Sequence, residues 1–158
     1  MSLLGQGVAL MGWVGLCAAA MLLGGWATSS SVGNWYPTLI KPSFNPPSYL
    51  FGIVWPILYF LMALAAWLCW REGGFAVRAW PLGLFLAQLM VNALWSFLFF
   101  GLRSPSAGLL GILFLDVLVL ATLLSFWSVR PVAGGLLVPY FAWILFATAV
   151  NAGIWYLN

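Results

Sequence analysis

The sequence is short of charge and of metal ligands. It has five basic and two acidic residues, no histidine and two cysteines among 158 residues. Charged residues make up 4% of the chain and hydrophobic residues 65%, whereas a soluble domain is about 25% charged. So few polar groups cannot cover a water-exposed surface. We therefore expect the outside of the protein to face the lipid bilayer.

The scarcity of histidine, cysteine and basic residues argues against metal sites and nucleic-acid binding. With no histidine and no paired cysteine spacing, a zinc or haem-iron site is not expected. Cys17 and Cys69 fall within or at the end of apolar runs and are predicted to be buried thiols. The basic residues are scattered singly, so no cluster is available for nucleic acid. They are Lys41, Arg71, Arg78, Arg103 and Arg130.

Long apolar runs dominate the rest of the chain. A spanning helix needs about 20 mostly apolar residues, and five runs meet this length. The first is too long for a signal-peptide core and lacks a basic start, so it is predicted to be a retained helix. We predict an all-α integral membrane bundle, a single domain over residues 1–158 with five transmembrane helices. The predicted helices cover about 7–27, 49–70, 79–101, 107–129 and 135–157.

The first connection, residues 28–48, is unusually long for a compact bundle, and loops of this length tend to be functional or disordered. It contains four prolines, which restrict the backbone, and apolar side chains such as Trp35, Leu39 and Phe44. We predict an ordered lid over one end of the bundle.

Tryptophan is abundant, with 11 residues. Trp and Tyr commonly form belts at the membrane interface, and most of these side chains lie near run ends or could face lipid. Trp55, Trp95 and Trp143 differ because polar or small residues recur near them at helical spacing. The residues assigned to the belt or the lipid face are Trp13, Trp26, Trp70, Trp80, Trp127, Trp155 and Tyr156.

Helical spacing places aromatic and polar residues on common stripes in three helices. Amides are costly against lipid, so these stripes should point inward. One interpretation is that the amides only join helices; the other is an aromatic cavity with a few polar anchors. The lid beside the stripes favours the cavity. The stripes are Trp55, Tyr59, Met62 and Ala66; Gln88, Asn92, Trp95 and Phe99; and Tyr140, Trp143, Ala147 and Asn151.

Asp116 is the one acid inside a run, near the middle of the fourth helix. Acids within the membrane are expensive and are candidates for function. No basic residue lies in another run to pair with it. A structural role as a protonated, hydrogen-bonded group and a role with ligand or proton both remain open.

Small residues four positions apart can form close helix contacts, within the chain or between protomers. A homodimer is therefore predicted. The loop cations divide three against two in favour of the amino-terminal side, a weak bias for placing that terminus inside. The pairs are Gly15 with Ala19, Ala20 with Gly24, and Gly83 with Ala87.

Three motifs resemble the TspO/MBR family, which comprises the tryptophan-rich sensory proteins of bacteria and the mitochondrial translocator protein. The lid has WYxxLxKPxxNPP from Trp35, the third helix AQxxxNxxWSxxFFG from Ala87, and the fifth VPYxxWxxxATxxN from Val138. The motifs occur in the family's order along nearly the whole chain.

The resemblance implies a five-helix bundle, often dimeric, whose first loop closes over a pocket for porphyrins and, in some members, sterols and drugs. No cofactor is expected, and porphyrin is the expected ligand. The basic residue that ends the sterol motif of animal members is missing after Tyr156. By position, the pocket would be formed by Trp35, Pro42, Asn45, Trp55, Tyr59, Gln88, Asn92, Trp95, Phe99, Trp143 and Ala147.

The function implied is a membrane receptor or sensor for porphyrin that regulates tetrapyrrole handling or a stress response. Two alternatives are light-dependent porphyrin breakdown, for which Trp55 and Trp143 would be the reacting side chains, and transport of porphyrin or sterol. No acid–base pair or nucleophile for an ordinary enzyme is evident. The short tail and the lack of a transit peptide suggest a bacterial member in the cell membrane.

Overall fold

The computed structural model describes residues 2–158 as a bundle of five long helices without a strand in that range. All five are long and apolar enough to cross a membrane, which confirms the predicted all-α fold with five spans. The helices are α1 (Leu3–Ser29), α2 (Ser48–Arg71), α3 (Gly74–Ser96), α4 (Pro105–Val129) and α5 (Pro131–Leu157).

Each helix begins earlier than its predicted apolar run. For α5 the sequence predicted a start at residue 135, whereas the helix begins at Pro131. Proline is well suited to the first position of a helix, where its missing N–H is not needed. Pro105 does the same for α4, whose first turn is capped by Ser104 Oγ accepting from the Ala107 N–H at 3.1 Å.

The α2–α3 turn depends on two glycines with positive φ, Gly73 at 132° and Gly74 at 66°, which is a conformation that glycine adopts readily. Helix α3 therefore begins at Gly74 rather than near residue 79. Arg78 interrupts its helical geometry with φ −112° and ψ 32°. The predicted start thus corresponds to the straight part of α3 after this kink.

Helix α3 continues into a π-helical turn, Phe97–Gly101. The Leu102 N–H donates to the Phe97 carbonyl at 2.8 Å, five residues back. Turns of this kind widen the helix locally and are frequent at functional sites. Here the turn directs Phe99 and Phe100 beneath the lid, and both are buried.

Trp13 was assigned to the interface or the lipid face, and this assignment is wrong. It is 7% exposed, with its ring centroid 5.9 Å from that of Phe75 and 5.7 Å from that of Phe85. Helix α1 is apolar on every side, so its sequence does not reveal which face packs inward. Trp70 is half-buried, while Trp26, Trp80, Trp127, Trp155 and Tyr156 are exposed as predicted.

Both cysteines are buried and free, which confirms the thiol prediction. Among the small residues, Gly24 packs inside the bundle, where an added Cβ would lie 3.2 Å from Ser96 Oγ. Gly15 and Gly83 face open space, with no atom within 4 Å of such a Cβ. The predicted homodimer would have these two outward-facing glycines available for close packing.

Candidate functional site

A cavity of about 940 Å³ lies beneath the first loop, at the end of the bundle opposite the α2–α3 turn. Its size is near the upper end of about 300–1,000 Å³ for small-molecule pockets. Every helix contributes to the wall. Representative lining residues are Met21 of α1, Trp55 of α2, Trp95 of α3, Leu115 of α4 and Trp143 of α5.

Trp143 is the centre of an aromatic cluster along one wall. Its ring lies edge-on to Trp55, with centroids 6.4 Å apart, and to Phe51, at 5.9 Å. Phe146, on the next turn of α5, is 5.6 Å away. Edge-to-face contacts of this kind hold aromatic rings in defined orientations. The cluster therefore presents a firm surface to a flat apolar molecule.

The Trp143 indole N–H is buried and has no acceptor among the residues that the structure describes. A buried donor without a partner is unfavourable, and this one belongs to a side chain that lines the cavity. An acceptor atom on a ligand would satisfy it. The Trp95 indole differs, because its N–H already donates to Asn151 Oδ1 at 3.0 Å.

The floor of the cavity is a closed hydrogen-bond network across α2, α3 and α5. The Tyr59 hydroxyl donates to Asn92 Oδ1. Asn92 Nδ2 donates to the Tyr140 hydroxyl at 2.7 Å, and this hydroxyl donates to Gln88 Oε1 at 2.8 Å. Gln88 Nε2 lies 3.8 Å from Met62 Sδ. Because both ends of the Asn92 amide are engaged, the network positions the floor rather than offering a free polar group.

Lys41 lines the cavity from the lid. Its ammonium group lies 4.6 Å from the centre of the Tyr36 ring and donates to the Leu39 carbonyl at 3.2 Å. Burial raises the pKa of Tyr36, whose hydroxyl donates a hydrogen bond to Asn45 Oδ1 at 3.3 Å. Tyr36 therefore stays neutral at physiological pH. Because neither the Tyr36 ring nor the Leu39 carbonyl neutralises Lys41, its positive charge is available to an anionic ligand group.

The lid, which spans residues 30–47 between the observed ends of α1 and α2, is ordered by contacts at its start and near its middle. At its start, Ser31 Oγ donates to the Phe100 carbonyl at 2.6 Å and accepts from Arg103 Nε at 3.1 Å. Near its middle, the Asn158 side chain accepts from the Ile40 N–H at 3.0 Å and donates to the Ile40 carbonyl at 2.8 Å. The predicted lid is thus joined to the π-helical turn and to the end of α5.

Gly153 of α5 gives the lid a place to pack. A Cβ at this position would lie 2.9 Å from Pro42 Cγ and 3.0 Å from Pro42 Cβ. Gly153→Ala is expected to push Pro42 outward and loosen the lid. Overpacking costs about 1–3 kcal/mol, so amide exchange at Ile40 should accelerate about fivefold or more, as measured by hydrogen–deuterium exchange.

Gly52→Ala is the matched control, because a Cβ at Gly52 meets no atom within 4 Å. Its exchange at Ile40 should equal that of the parent protein. Equal exchange in Gly153→Ala would contradict the packing of Pro42 on α5.

The predicted site residues divide into those that line the cavity and those that support it. Trp35 packs on Phe99, with ring centroids 5.6 Å apart, Pro42 packs on Gly153, and Gln88 lies within the floor network, deeper than Asn92. None of these three lines the cavity, and ligand contact by the whole set stays a prediction. The residues that do line it are Asn45, Trp55, Tyr59, Asn92, Trp95, Phe99, Trp143 and Ala147.

Lys41, Phe51 and Phe146 also line the cavity but were not predicted as site residues. Two had a signal in the sequence: Phe51 lies one turn before Trp55, and Phe146 lies three residues after Trp143. Lys41 had only its place in the lid motif, and an isolated cation in a loop usually points to water. Among the described residues, no group of three His, Cys, Asp or Glu side chains could hold a metal ion.

Comparison with known proteins gives one consistent family. The model of the TspO/MBR family matches residues 13–157. The tryptophan-rich protein TspO of Archaeoglobus fulgidus is 44% identical over 135 residues, 85% of this chain and 87% of its own. The human translocator protein is 41% identical over 124 residues, 77% and 73% of the two chains. The tryptophan-rich sensory protein of Cereibacter sphaeroides is 37% identical over 125 residues, 79% and 77%.

Proposed function

The chain belongs to the TspO/MBR family, and from this premise we propose that it is a membrane receptor for porphyrins such as protoporphyrin IX. Binding would place the ligand in the cavity under the lid and would regulate tetrapyrrole handling or a stress response. The observation that carries the proposal is the aromatic wall around Trp143, which lines a large cavity, together with the unpaired indole N–H of that side chain.

The chemistry of a porphyrin fits this cavity in three respects. Its flat macrocycle matches the aromatic walls, since stacking and edge contacts on Trp and Phe favour flat ligands. Its propionates are acceptors and anions, which suits the charge of Lys41 at the lid. Its acceptor atoms could accept a hydrogen bond from the Trp143 indole N–H. A sterol would use the apolar volume and one hydrogen bond, but not the cation.

Trp143→Phe is expected to weaken protoporphyrin binding, because it removes the unpaired donor while keeping an aromatic ring. One hydrogen bond contributes about 0.5–1.5 kcal/mol, so Kd should rise about fivefold. The Kd is measured by quenching of the intrinsic tryptophan fluorescence in detergent micelles or nanodiscs.

Trp55→Phe tests the neighbouring part of the wall. Trp155 is 52% exposed, so Trp155→Phe is the control and is expected to bind like the parent.

The contribution of charge to binding is tested by changing the ligand in the parent protein and in a Lys41 variant. Protoporphyrin dimethyl ester has no carboxylates, so it should bind the parent more weakly than the free acid, and this difference should disappear in Lys41→Gln. If Trp143→Phe and Trp55→Phe both bind like the parent, the cavity is not the porphyrin site.

Light-dependent breakdown of the bound porphyrin is a second candidate, favoured by the contact of the Trp55 and Trp143 rings on the cavity wall. Illumination of the complex in air should then remove the porphyrin absorption band and yield a new product, more slowly in Trp55→Phe. A spectrum that is the same in light and in darkness supports binding alone.

A further inference from the structure

Asp116 lies halfway along α4, where α4 packs against α5. It is one of only two acids in the sequence, the other being Glu72 at the α2–α3 turn. Leu115 and Ala147, the residues just before Asp116 and Thr148, both line the cavity. Any change in how Asp116 and Thr148 meet would therefore act directly on the cavity wall.

The hydrogen bonds of Thr148 reveal where a proton must be. Its Oγ1 lies 2.8 Å from Asp116 Oδ2 and also 2.8 Å from the Ile144 carbonyl. A hydroxyl has one hydrogen to donate, and both neighbours accept when Asp116 is ionised. One of these two close oxygen–oxygen contacts would then lack a hydrogen of its own between the two atoms. Both are satisfied when Asp116 carries a proton on Oδ2 and donates it to Thr148.

The other carboxyl oxygen gives independent support. Asp116 Oδ1 is buried and has no donor among residues 2–158. In an ionised carboxylate this oxygen would share an uncompensated charge in an apolar setting, which is strongly unfavourable. In a neutral acid it is an ordinary carbonyl oxygen, for which the penalty is much smaller.

We propose that Asp116 is a proton-binding site within the membrane. Its proton forms a hydrogen bond to Thr148 that joins α4 to α5 at the wall of the cavity. The neutral acid donates to Thr148 Oγ1, and the Thr148 hydroxyl donates to the Ile144 carbonyl. The part concerning the cavity rests on the proposed porphyrin-binding function. The proton site itself does not.

Among residues 2–158, no cation lies within salt-bridge distance of Asp116 to stabilise its ionised form. Helix α4 packs against α5, α3, the π-helical turn and, more lightly, α2. The one salt bridge in the described chain joins Arg130 to Glu72 at 3.4 Å, beyond the end of α4. Tyr140 is a titratable group on α5, and its hydroxyl is engaged in the cavity floor. The other titratable or charged side chains on these elements are Tyr156 on α5, Arg78 on α3, and Tyr49, Tyr59, Cys69 and Arg71 on α2.

Infrared spectroscopy tests the proton site without any ligand. The chain has only two acidic side chains, and Glu72 pairs with Arg130 at the surface, so a carboxylic-acid carbonyl band at neutral pH can be assigned. The band should be present in the parent and in Glu72→Gln, absent in Asp116→Asn, and shifted in Thr148→Val, which removes the acceptor. A parent protein without this band at neutral pH overturns the proposal.

Three variants test the consequence for the cavity. Asp116→Asn stays neutral and still has a donor for Thr148, so it should bind protoporphyrin like the parent. Asp116→Leu loses the donor and should bind at least about fivefold more weakly, a typical coupling between neighbouring sites. The lipid-facing neighbour variant Val117→Ala, at a position that is 65% exposed, should bind like the parent.

The outcomes are distinct. If Asp116→Asn is as weak as Asp116→Leu, a negative charge is needed and the neutral acid is excluded. If Asp116→Leu binds like the parent, the link to the cavity is wrong. If the parent itself does not bind protoporphyrin, the proposed function fails, and the infrared band still decides the proton site.

Discussion

Gly134→Ala is expected to lower the free energy of unfolding by about 2 kcal/mol or more. A Cβ at Gly134 would lie 2.7 Å from Trp127 Cα and 2.8 Å from Trp127 N. Alanine in a helix ordinarily gains about 1 kcal/mol over glycine, but overpacking costs about 1–3 kcal/mol and sometimes more. The clash should prevail because it involves backbone atoms, which no side-chain rotation can relieve. The melting temperature should fall by about 5 °C or more.

Gly52→Ala is the control for this prediction, since a Cβ at Gly52 meets no atom within 4 Å. It should be as stable as the parent or slightly more so. Thermal unfolding of purified protein in one detergent allows the comparison. Equal melting temperatures for the two alanine variants would show that α4 and α5 do not approach as closely as described.

Tyr140→Phe is expected to destabilise the protein by about 1–3 kcal/mol. The hydroxyl is the central member of the floor network, and without it the Asn92 donor and the Gln88 acceptor both lose a partner. Each unsatisfied group costs about 1–3 kcal/mol in a buried setting, but interhelical hydrogen bonds in membrane proteins average only about 0.6 kcal/mol. The expected loss of unfolding free energy therefore lies between the average hydrogen bond and two fully unsatisfied groups. It is measured as a lower melting temperature.

The exposed Tyr156 offers a matched control, because it is 82% exposed at the end of α5. Tyr156→Phe removes the same hydroxyl without affecting the network and should melt with the parent. Should Tyr140→Phe also melt with the parent, the floor network does not contribute to stability, and its role as a rigid base for the cavity is incorrect.

The spans were predictable because the bilayer imposes a length and an apolar composition on each helix. The ends of the helices were less so. Pro131 and Gly134 fell in the predicted connection before residue 135, yet both lie within α5. Proline fits the first turn of a helix, and Gly134 is there because the α4 backbone leaves no room for a side chain. A single sequence gives no sign of that neighbour.

The candidate site could be predicted in part, because polar residues on an apolar helix indicate which face points inward. Helical spacing identifies a stripe but not its depth. Gln88 and Asn92 share a stripe on α3, yet they are about 6 Å apart along the axis at 1.5 Å per residue. The cavity ends at Asn92, and Gln88 lies in the packed floor below it. Depth depends on where the other helices close together.

The lid illustrates a different limit. Its prolines and aromatic residues predicted order, but the contacts that create this order come from distant parts of the chain. Asn158 meets Ile40, and Gly153 receives Pro42. No local pattern relates these positions, because the pairing exists only once α5 has packed into the bundle. For the same reason, Trp35 was placed in the pocket, although it packs on Phe99 behind the lining.

The two hydrogen bonds between Asn158 and Ile40 have a kinetic consequence. A ligand that enters the cavity past the lid would have to wait until this pair, together with the Ser31 and Pro42 contacts of the lid, has separated. Exchange is then gated: the observed association rate levels off at high ligand concentration, where it equals the opening rate of the lid. Residence time is governed by the same step. Affinity would then depend mainly on the aromatic wall, whereas the speed of exchange would depend on the lid contacts, including those of Asn158 at the far end of the fifth helix.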